Sequence, residues 1–291
     1  MRVFINGHLV DESEARVSAF DRGFLFGDGV FESMRATGGV VFRIDRHLAR
    51  LQRSAALVAI EADDLSGGGQ ALRRQVGQLL RVNRLREARI RISLTRGPGR
   101  PGDYLHAPGP PTVLITTAPF RGIDPDLRSR GVKVAIAARQ AIPGLALDPS
   151  IKTISRLHMV LARREAAERG AHEAVFVDAG EYLTEGTASN LFLVCGGELR
   201  TAPVPGNALP GITREAILEL ARREAMPVSE APLPLSALDA VDEAFLSNTS
   251  WEVLPVIAVD DRIIGSGRPG PVTLRLGGLY AGLLAHECGD G

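Results

Sequence analysis

Ala118-Pro-Phe-Arg-Gly-Ile-Asp-Pro-Asp-Leu-Arg-Ser-Arg-Gly131 separates two halves of the chain, each of which contains strand-like and helix-like patterns. Its prolines, glycines and interspersed charges are typical of a segment that connects domains. With 291 residues, the chain is long enough for two medium-sized domains. We therefore predict a small N-terminal α+β domain over 1–118, a linker over 119–131 and a larger C-terminal α+β domain over 132–291.

Hydrophobic periodicity and turn residues locate the elements of both halves, and Asp45 is expected to cap the first long helix. Before the boundary, the pattern predicts strands at 2–5, 8–10, 30–37, 40–43, 88–95 and 112–117 and helices at 45–60 and 70–82. After it, the pattern predicts strands at 132–138, 174–178, 190–195, 243–247 and 252–259 and helices at 155–169 and 213–225. This mixed order favours two α+β domains over a doubly wound sheet.

Composition limits the classes of function. The formal net charge is zero and there is no long basic run, so neither nucleic acid nor a membrane is an expected partner and the substrate should be small. No apolar stretch approaches the ~18 residues of a membrane span, and the N-terminus lacks the apolar core of a signal peptide, which predicts a cytoplasmic protein. Cys195 and Cys288, the latter in the polar tail, offer no disulfide framework, and the six scattered histidines predict no metal site.

Only two of the 34 basic residues are lysines, Lys133 and Lys152. Lys133 lies in an alternating run that predicts a strand with the ammonium on its wetter face. Lys152 lies where an irregular segment meets the helix that starts at Ser155, a position suited to amine chemistry. The alternative is that an arginine-rich coding bias spared both lysines by accident.

Two further segments could bind a phosphate. Pro210-Gly-Ile-Thr-Arg214 opens a helix, so the Ile212 and Thr213 amides would be donors at its positive end, although an ordinary helix start would look the same. Ser247-Asn-Thr-Ser250 ends a strand with a second group of small donors. Arg50 lies in the first helix, where a solvated arginine is the usual interpretation.

Glu185 lies in a predicted turn before an apolar strand. A carboxylate there could face water, or it could pair with a protonated pyridine nitrogen and keep a heteroaromatic ring electron-poor. A lysine, a carboxylate and phosphate donors together meet the needs of pyridoxal phosphate.

Six ordered motifs resemble the class IV aminotransferases, which are fold type IV pyridoxal phosphate enzymes. They run nearly from end to end of the chain: Phe20-Asp-Arg-Gly-Phe-Leu-Phe-Gly-Asp-Gly-Val-Phe-Glu-Ser-Met-Arg35, Arg46-His-Leu-Ala-Arg-Leu51, Ile151-Lys-Thr-Ile-Ser-Arg-Leu157, Leu183-Thr-Glu-Gly-Thr-Ala-Ser-Asn-Leu-Phe192, Leu209-Pro-Gly-Ile-Thr-Arg214 and Glu252-Val-Leu-Pro-Val256.

The resemblance implies a role for each matched residue. Lys152 would form the Schiff base with pyridoxal 5'-phosphate and move the substrate proton, and Glu185 would hold the pyridinium. The phosphate would be held by Arg50, Ile212, Thr213, Thr249 and Ser250. The resemblance also implies a homodimer, an active site at the domain interface and a place in amino acid metabolism.

The family's cofactor residues do not decide the substrate. The family contains branched-chain and D-amino acid aminotransferases, R-selective amine transaminases and aminodeoxychorismate lyase. Phe26 and Phe31 stand where some relatives place tyrosines that bind the substrate carboxylate, which leaves Arg35, Arg96 and Arg100 as candidate cations. The loop at 95–100 could bind a carboxylate in a bidentate fork, or its arginines could simply be solvated.

We favour an aminotransferase that acts on an amino acid, either branched-chain L or D, and a 2-keto acid. Glu252-Val-Leu-Pro-Val256 and Gly270-Pro-Val-Thr273 resemble the aminotransferase branches. Lys152-Thr-Ile-Ser-Arg-Leu157 and the start at Asp21 also resemble the lyase, which releases pyruvate. A protein that only binds the cofactor would need neither Lys152 nor Glu185, and a nucleotide binder fails because Gly27-Asp-Gly29 lacks a following helix.

Overall fold

The computed structural model describes residues 1–100, 102, 109–204, 206 and 208–289. It contains both helices and sheets, which confirms the predicted α+β class. The chain forms two compact units: Met1–Arg121, Ile151–Arg156 and the residues from Leu284 onward make the first, and Gly122–Ser150 with Leu157–Leu283 the second. Lys152 therefore packs with the first unit, although its sequence position follows the predicted linker. The boundary at 119–131 stays a prediction.

The first unit is built on a six-stranded antiparallel sheet, with the strand order β2-β1-β6-β5-β3-β4. Its elements are β1 (Arg2–Ile5), β2 (His8–Asp11), α1 (Arg22–Phe26), β3 (Gly29–Thr37), β4 (Val40–Val41), α2 (Ile44–Leu57), a short 3-10 helix (Asp63–Leu65), α3 (Ser66–Val82), β5 (Ala88–Thr95) and β6 (Thr112–Pro119).

The alternation along β3 and β5 gives this sheet one apolar and one polar face. Val30, Met34, Ile90 and Ile92 lie in a core that α2 and α3 cover with leucines. The opposite face carries Phe31 and the polar side chains of the same two strands, Ser33, Arg35, Arg89, Arg91 and Ser93.

Local signals in the first unit were partly misleading. The prediction that Asp45 caps the first helix is wrong, because α2 begins at Ile44 and its N-cap is Arg43, in a left-handed conformation with a φ of 47°. Asp45 lies in the first turn instead. The short helix α1 was not predicted; Asp21 caps it by accepting a hydrogen bond from the Gly23 amide.

The second unit contains a ten-stranded mixed sheet. Its elements are α4 (Pro125–Arg130), β7 (Val132–Ile136), α5 (Leu157–Glu168), β8 (Glu173–Val177), β9 (Tyr182–Gly186), β10 (Asn190–Cys195), β11 (Glu198–Thr201), α6 (Ile212–Arg223), β12 (Val228–Glu230), β13 (Leu233–Pro234), a 3-10 helix (Leu235–Asp239), β14 (Glu243–Asn248), β15 (Glu252–Val259) and β16 (Arg262–Ile263). The last helix of the chain is α7 (Pro271–Cys288).

Six of these strands form a closed ring. The strands β10, β14, β15, β7, β8 and β9 pair in succession, and the pairing of Glu185 with Asn190 joins β9 back to β10. The prediction that Glu185 lies in a turn is therefore wrong: Glu185 belongs to β9, and the turn spans 186–189. Closure removes the free edges that an open sheet would leave at these strands.

The structure also describes the predicted linker, Cys288 and Lys133. The predicted linker contains α4, which Asp124 caps and Pro125 begins. Cys288 is buried at the end of α7 and does not lie in a polar tail. Lys133 is exposed on β7, as its alternating context predicts. Among the described residues, no helix has the length and apolar character needed to cross a membrane.

Candidate active site

The backbone around Lys152 is docked onto the open edge of β3. The Phe31 amide donates to the Lys152 carbonyl at 2.9 Å, and the Ile154 amide donates to the Gly29 carbonyl at 3.0 Å. On α2, the Ser54 hydroxyl accepts from the Lys152 amide at 3.2 Å. The lysine therefore lies in an irregular segment whose backbone is fixed on two sides.

Gly29 allows this close approach. A Cβ at Gly29 would lie 2.6 Å from the Leu94 carbonyl oxygen and 2.9 Å from the Ile154 side chain. These separations are shorter than any ordinary contact, so a larger residue would push the segment 151–156 away from β3. The local sequence of β3 thus contributes to the position of Lys152.

A buried polar group lies beneath the lysine segment. Glu32 is fully buried and receives two hydrogen bonds from Arg50, at 2.7 and 2.8 Å, while His47 Nδ1 lies 2.8 Å from Glu32 Oε2. His47, Arg50 and Ser54 share one face of α2 because they are separated by three and four residues. The interpretation of Arg50 as a solvated side chain is wrong, since it is only 3% exposed.

The charges of this group follow from burial and pairing. Burial alone would raise the pKa of Glu32, but the Arg50 guanidinium and the His47 ring hold it well below its usual value. Burial lowers the pKa of His47 despite the opposing effect of Glu32, and the charges of Arg50 and Lys152 lower it further. His47 is therefore neutral at neutral pH, and its Nδ1–H donates to the ionised Glu32.

Three cationic groups surround the ring of Phe31. The distances to the ring centroid are 4.0 Å from Arg91 Cζ, 4.9 Å from Lys152 Nζ and 5.5 Å from Arg156 Cζ. Burial and the nearby Arg156 lower the pKa of Arg91, and no ion pair of the described residues involves Arg91. Such a concentration of positive charge favours an anionic ligand. The same face bears a cavity of about 310 Å³, lined by Ser33, Arg89, Arg91, Thr116, Thr117 and Ala118.

Arg91 and Arg156 were not predicted as site residues. The signal for Arg91 was present in the alternation of β5, which places it directly opposite Ser33 on the Phe31 face of the sheet. The position of Arg156 depends on the docking of 151–156, which no local pattern reveals.

The other predicted substrate residues have different surroundings. Arg96 donates to both Asp28 carboxylate oxygens, at 2.8 and 3.1 Å, and to the carbonyls of Val58 and Ala59. Arg35 donates to the Thr37 hydroxyl and stacks on Phe120. Arg100 is exposed, and Phe26 is partly exposed on α1. Their roles in substrate binding stay predictions.

In the second unit, Glu185 is connected to the start of α6. Glu185 Oε2 accepts a hydrogen bond from the Leu209 amide at 2.9 Å, and the Leu209 carbonyl accepts one from Asn190 Nδ2 at 2.9 Å. A Cβ at Gly211 would lie 2.1 Å from Asn190 Oδ1, so a larger residue there would displace the Asn190 amide group. Glu185 and Asn190, which are paired across β9 and β10, thus both bind Leu209 in the segment that leads into α6.

Among the residues that the structure describes, no side chain caps the N-terminus of α6. Gly211 is the N-cap residue, and the next two residues, Ile212 and Thr213, are buried at 5% and 4% exposure. Their amides lie at the positive end of the helix dipole, which suits an anion. The Thr213 hydroxyl adds a further donor of the type that binds phosphate.

The segment after β14 is also ordered by a side chain. Asn248 Oδ1 accepts from the amides of Ser250 and Trp251, at 2.8 and 2.6 Å, and Asn248 Nδ2 donates to the Ala188 carbonyl at 2.9 Å. Thr249 and Ser250 are partly exposed. The amide of Ser250 is therefore engaged within the loop, and the role of Ser250 in phosphate binding stays a prediction.

Comparison with known proteins identifies the family. The model of amino-transferase class IV matches residues 29–259. The chain belongs to the class IV aminotransferase family. This confirms the family that the ordered sequence motifs predicted, and with it the class of enzyme.

Relatives of similar sequence have aminotransferase names. One, from Methanocaldococcus jannaschii, has the provisional name branched-chain-amino-acid aminotransferase; it is 38% identical over 95% of this chain and 94% of its own length. A D-alanine aminotransferase from Bacillus licheniformis is 35% identical over 94% of this chain and 93% of its own length.

Solved structures share the fold over nearly all of the chain. A branched-chain amino acid aminotransferase from Escherichia coli has a TM-score of 0.90 at 31% identity, covering 99% of this chain and 96% of that one. A 4-amino-4-deoxychorismate lyase from Pseudomonas aeruginosa has a TM-score of 0.84 at 27% identity, covering 96% and 98%. The fold is therefore common to both branches of the family.

Proposed function

We propose that the protein is a pyridoxal phosphate-dependent aminotransferase that moves an amino group between an amino acid and a 2-keto acid. The observation that supports this proposal lies in the second unit. Glu185 accepts a hydrogen bond from the Leu209 amide, just before the uncapped N-terminus of α6. A carboxylate and an anion-binding helix start, held at a fixed separation, match the pyridine nitrogen and the phosphate of one cofactor.

The residues fit pyridoxal phosphate in their chemistry. When bound, the cofactor withdraws electrons from the substrate α-carbon. Glu185 would stabilise the protonated ring nitrogen through its charge, while the amides of Ile212 and Thr213 would hold the phosphate. We also assign Arg50, Thr249 and Ser250 to the phosphate, because they occupy the matching family motifs. Glu32 fixes the orientation of the Arg50 guanidinium.

Lys152 would supply the primary amine. Its only counterpart in the chain, Lys133, is exposed on β7. The fixed backbone of 151–156 limits where the Lys152 amine can reach, which suits a group that takes a proton from one carbon and returns it to another. The cationic cluster of Lys152, Arg91 and Arg156 supports a carboxylate-bearing substrate, such as an amino acid and its keto acid.

The lyase is the second candidate, supported by the similarity to the P. aeruginosa structure. We place it after the aminotransferase, because the two relatives compared above both carry aminotransferase names. One of these relatives is named for branched-chain amino acids and the other for D-alanine, so the preference for an L- or a D-amino acid stays open. R-selective amine transamination stays a prediction.

The visible spectrum of the purified holoenzyme tests the proposal. The enzyme is mixed separately with L-leucine, L-valine, D-alanine and (R)-1-phenylethylamine, without a keto acid. Loss of the visible cofactor band with one of them supports a transaminase and identifies its branch. An unchanged visible band with all four favours the lyase, and a purified protein that neither contains nor binds the cofactor contradicts the proposal.

We also propose that the protein is a homodimer. The segment around α1 exposes four large apolar side chains, Phe20, Phe24, Leu25 and Phe26, with Phe24 at 76% exposure. A patch of this kind is typical of a protein interface. A second copy of the chain is the partner that family membership favours. A cytoplasmic location stays a prediction.

A further inference from the structure

Glu173, at the start of β8, is a buried carboxylate that no part of the proposed chemistry uses. Its side chain has no exposed surface. Oε1 accepts from the Thr187 hydroxyl at 2.5 Å and the Ala174 amide at 2.9 Å, and Oε2 accepts from the Ser189 hydroxyl at 3.3 Å. Oε1 also forms an ion pair with Arg163 Nη1 at 2.8 Å. Both oxygens are thus satisfied, as a buried charge requires.

Two of these donors belong to the turn at 186–189. The turn is closed by a hydrogen bond from the Gly186 amide to the Ser189 carbonyl at 2.7 Å, and the Thr187 amide donates to the Ala174 carbonyl at 3.1 Å. A Cβ at Gly186 would lie 2.3 Å from Ser189 Oγ and 3.2 Å from Glu173 Cγ. The turn is therefore packed tightly against the carboxylate.

The same turn lies between the two residues that close the strand ring. Glu185 precedes it and Asn190 follows it, and both hold Leu209 ahead of α6. A displacement of the turn would move Glu185, Asn190 and the helix start together.

The turn also touches the loop after β14. The Ala188 carbonyl accepts from Asn248, whose Oδ1 orders the amides of Ser250 and Trp251. Arg163, the ionic partner of Glu173, stacks on Trp251 with its Cζ 5.2 Å from the ring centroid. Glu173 is thus connected to this loop by two routes, one through the turn and one through Arg163.

We propose that Glu173 is a positioning residue for the cofactor site: it fixes the turn at 186–189 and thereby the positions of Glu185, the α6 N-terminus and the loop at 248–251. This inference rests on the proposed function, which assigns those three groups to pyridoxal phosphate. Glu173 acts through them and does not itself bind the cofactor.

The experiment compares Glu173→Gln with a matched control, Glu243→Gln. Glu243 is another buried carboxylate of the second unit, but it accepts hydrogen bonds from the Val272 and Thr273 amides at the start of α7. Pyridoxal phosphate is titrated into each apo-protein, and binding is followed by the visible band and by the emission of Trp251, the only tryptophan. Thermal unfolding of each apo-protein is measured in parallel.

Glu173→Gln should raise the Kd of pyridoxal phosphate about tenfold or more and shift the visible band, because glutamine keeps the shape but loses the charge that holds both hydroxyls and Arg163. Glu243→Gln should lower the unfolding temperature and leave the Kd and the band unchanged. A Glu173→Gln protein that is destabilised but binds the cofactor with wild-type Kd and spectrum would overturn the inference.

Two milder variants cover the case in which Glu173→Gln does not fold. Thr187→Val and Ser189→Ala each remove one hydroxyl donor and leave Glu173 in place, and each should raise the Kd of pyridoxal phosphate in a folded protein. Wild-type Kd values in both would contradict the inference. A wild-type protein that binds no pyridoxal phosphate would instead contradict the proposed function, so the two failures are distinguishable.

Discussion

At the scale of the residue, the two lysines differ in how their surroundings constrain them. The backbone of Lys152 is hydrogen-bonded to Phe31 and Ser54, and its amine lies over the Phe31 ring. Lys133 is exposed on β7. A reactive amine needs a fixed position relative to its target. The partly buried Lys152 suits the role we propose for it better than the exposed Lys133 does.

Lys152→Ala should therefore abolish the visible band of the covalently held cofactor and reduce turnover by at least about 100-fold, the lower range for loss of a positioned acid or base. Absorbance and an amino-transfer assay measure the two effects. Lys133→Ala is the control and should match the wild type in both. The reverse pattern would contradict the role of Lys152.

Glu185→Gln should keep most of the bound cofactor and lose at least about 100-fold in kcat, the usual cost of removing one preorganised electrostatic group. Glutamine retains an oxygen that can accept from the Leu209 amide, so the start of α6 stays in place, while the charge that stabilises a protonated ring nitrogen is lost. Cofactor content by absorbance and kcat at saturating substrate separate these effects. Wild-type kcat would exclude the proposed role.

The buried group of Glu32, His47 and Arg50 predicts a loss of stability on acidification. The folded-state pKa of His47 lies below its ordinary 6.5, so the unfolded chain binds the extra proton first and stability falls as the pH drops below about 6.5. The pKa of Glu32 lies below its ordinary 4.5, so its contribution is lost as the pH falls below that value.

The measurement is the midpoint of urea unfolding between pH 8 and pH 4. His47→Asn keeps a donor toward Glu32 but cannot titrate. In this variant the urea midpoint should change little between pH 6.5 and about pH 5, and it should still decrease below pH 4.5 as in the wild type. A wild-type midpoint that rises on acidification would contradict the assigned charges.

At the scale of the element, close packing at one glycine holds the lysine segment against β3. Gly29→Ala should destabilise the protein by about 1–3 kcal/mol, the usual cost of forcing extra atoms into a packed site. Its Cβ would lie 2.6 Å from the Leu94 carbonyl oxygen, and backbone cannot move aside as a side chain can. Turnover should fall as well, because the same Cβ would lie 2.9 Å from the Ile154 side chain and displace the segment 151–156.

Gly278→Ala is the matched control for this substitution. A Cβ at Gly278 meets no atom within 4 Å, and the residue lies inside α7. Alanine there should stabilise the protein by about 0.5–1 kcal/mol through its higher helix propensity. Denaturant unfolding measures the free energy of unfolding of Gly29→Ala and Gly278→Ala. Equal changes in the two variants would show that the contact at Gly29 is unimportant.

At the scale of the whole molecule, the exposed apolar segment around α1 predicts self-association. Phe24→Ser should raise the Kd of the dimer about tenfold or more, since aromatic side chains at the centre of an interface often contribute over about 2 kcal/mol. Sedimentation velocity over a range of concentrations measures this. Leu274→Ser, which changes another exposed apolar residue, is the control. A wild-type protein that stays monomeric would contradict the proposed dimer.

The sequence by itself determined the family, the α+β class and most regular elements. The strands Ala88–Thr95, Asn190–Cys195 and Glu252–Val259 were predicted with the bounds they have. Each of these signals is local, because the alternation of a strand follows from which of its own side chains face a core. Local signals failed at Asp45, where the backbone of Arg43 sets the helix start, and at Glu185, whose strand is too short to show a periodicity.

Only the tertiary structure decided the surroundings of the candidate site. Arg50 is buried because Glu32, 18 residues away, meets it across α2 and β3. Lys152 is fixed by Ser54, 98 residues away, and Glu185 by Leu209, 24 residues away. Glu173 had no recognisable motif, yet it accepts hydrogen bonds from Thr187 and Ser189 in the turn that follows Glu185. Hydrogen bonds between residues distant in sequence depend on how strands and helices pack, and no short stretch of sequence contains that information.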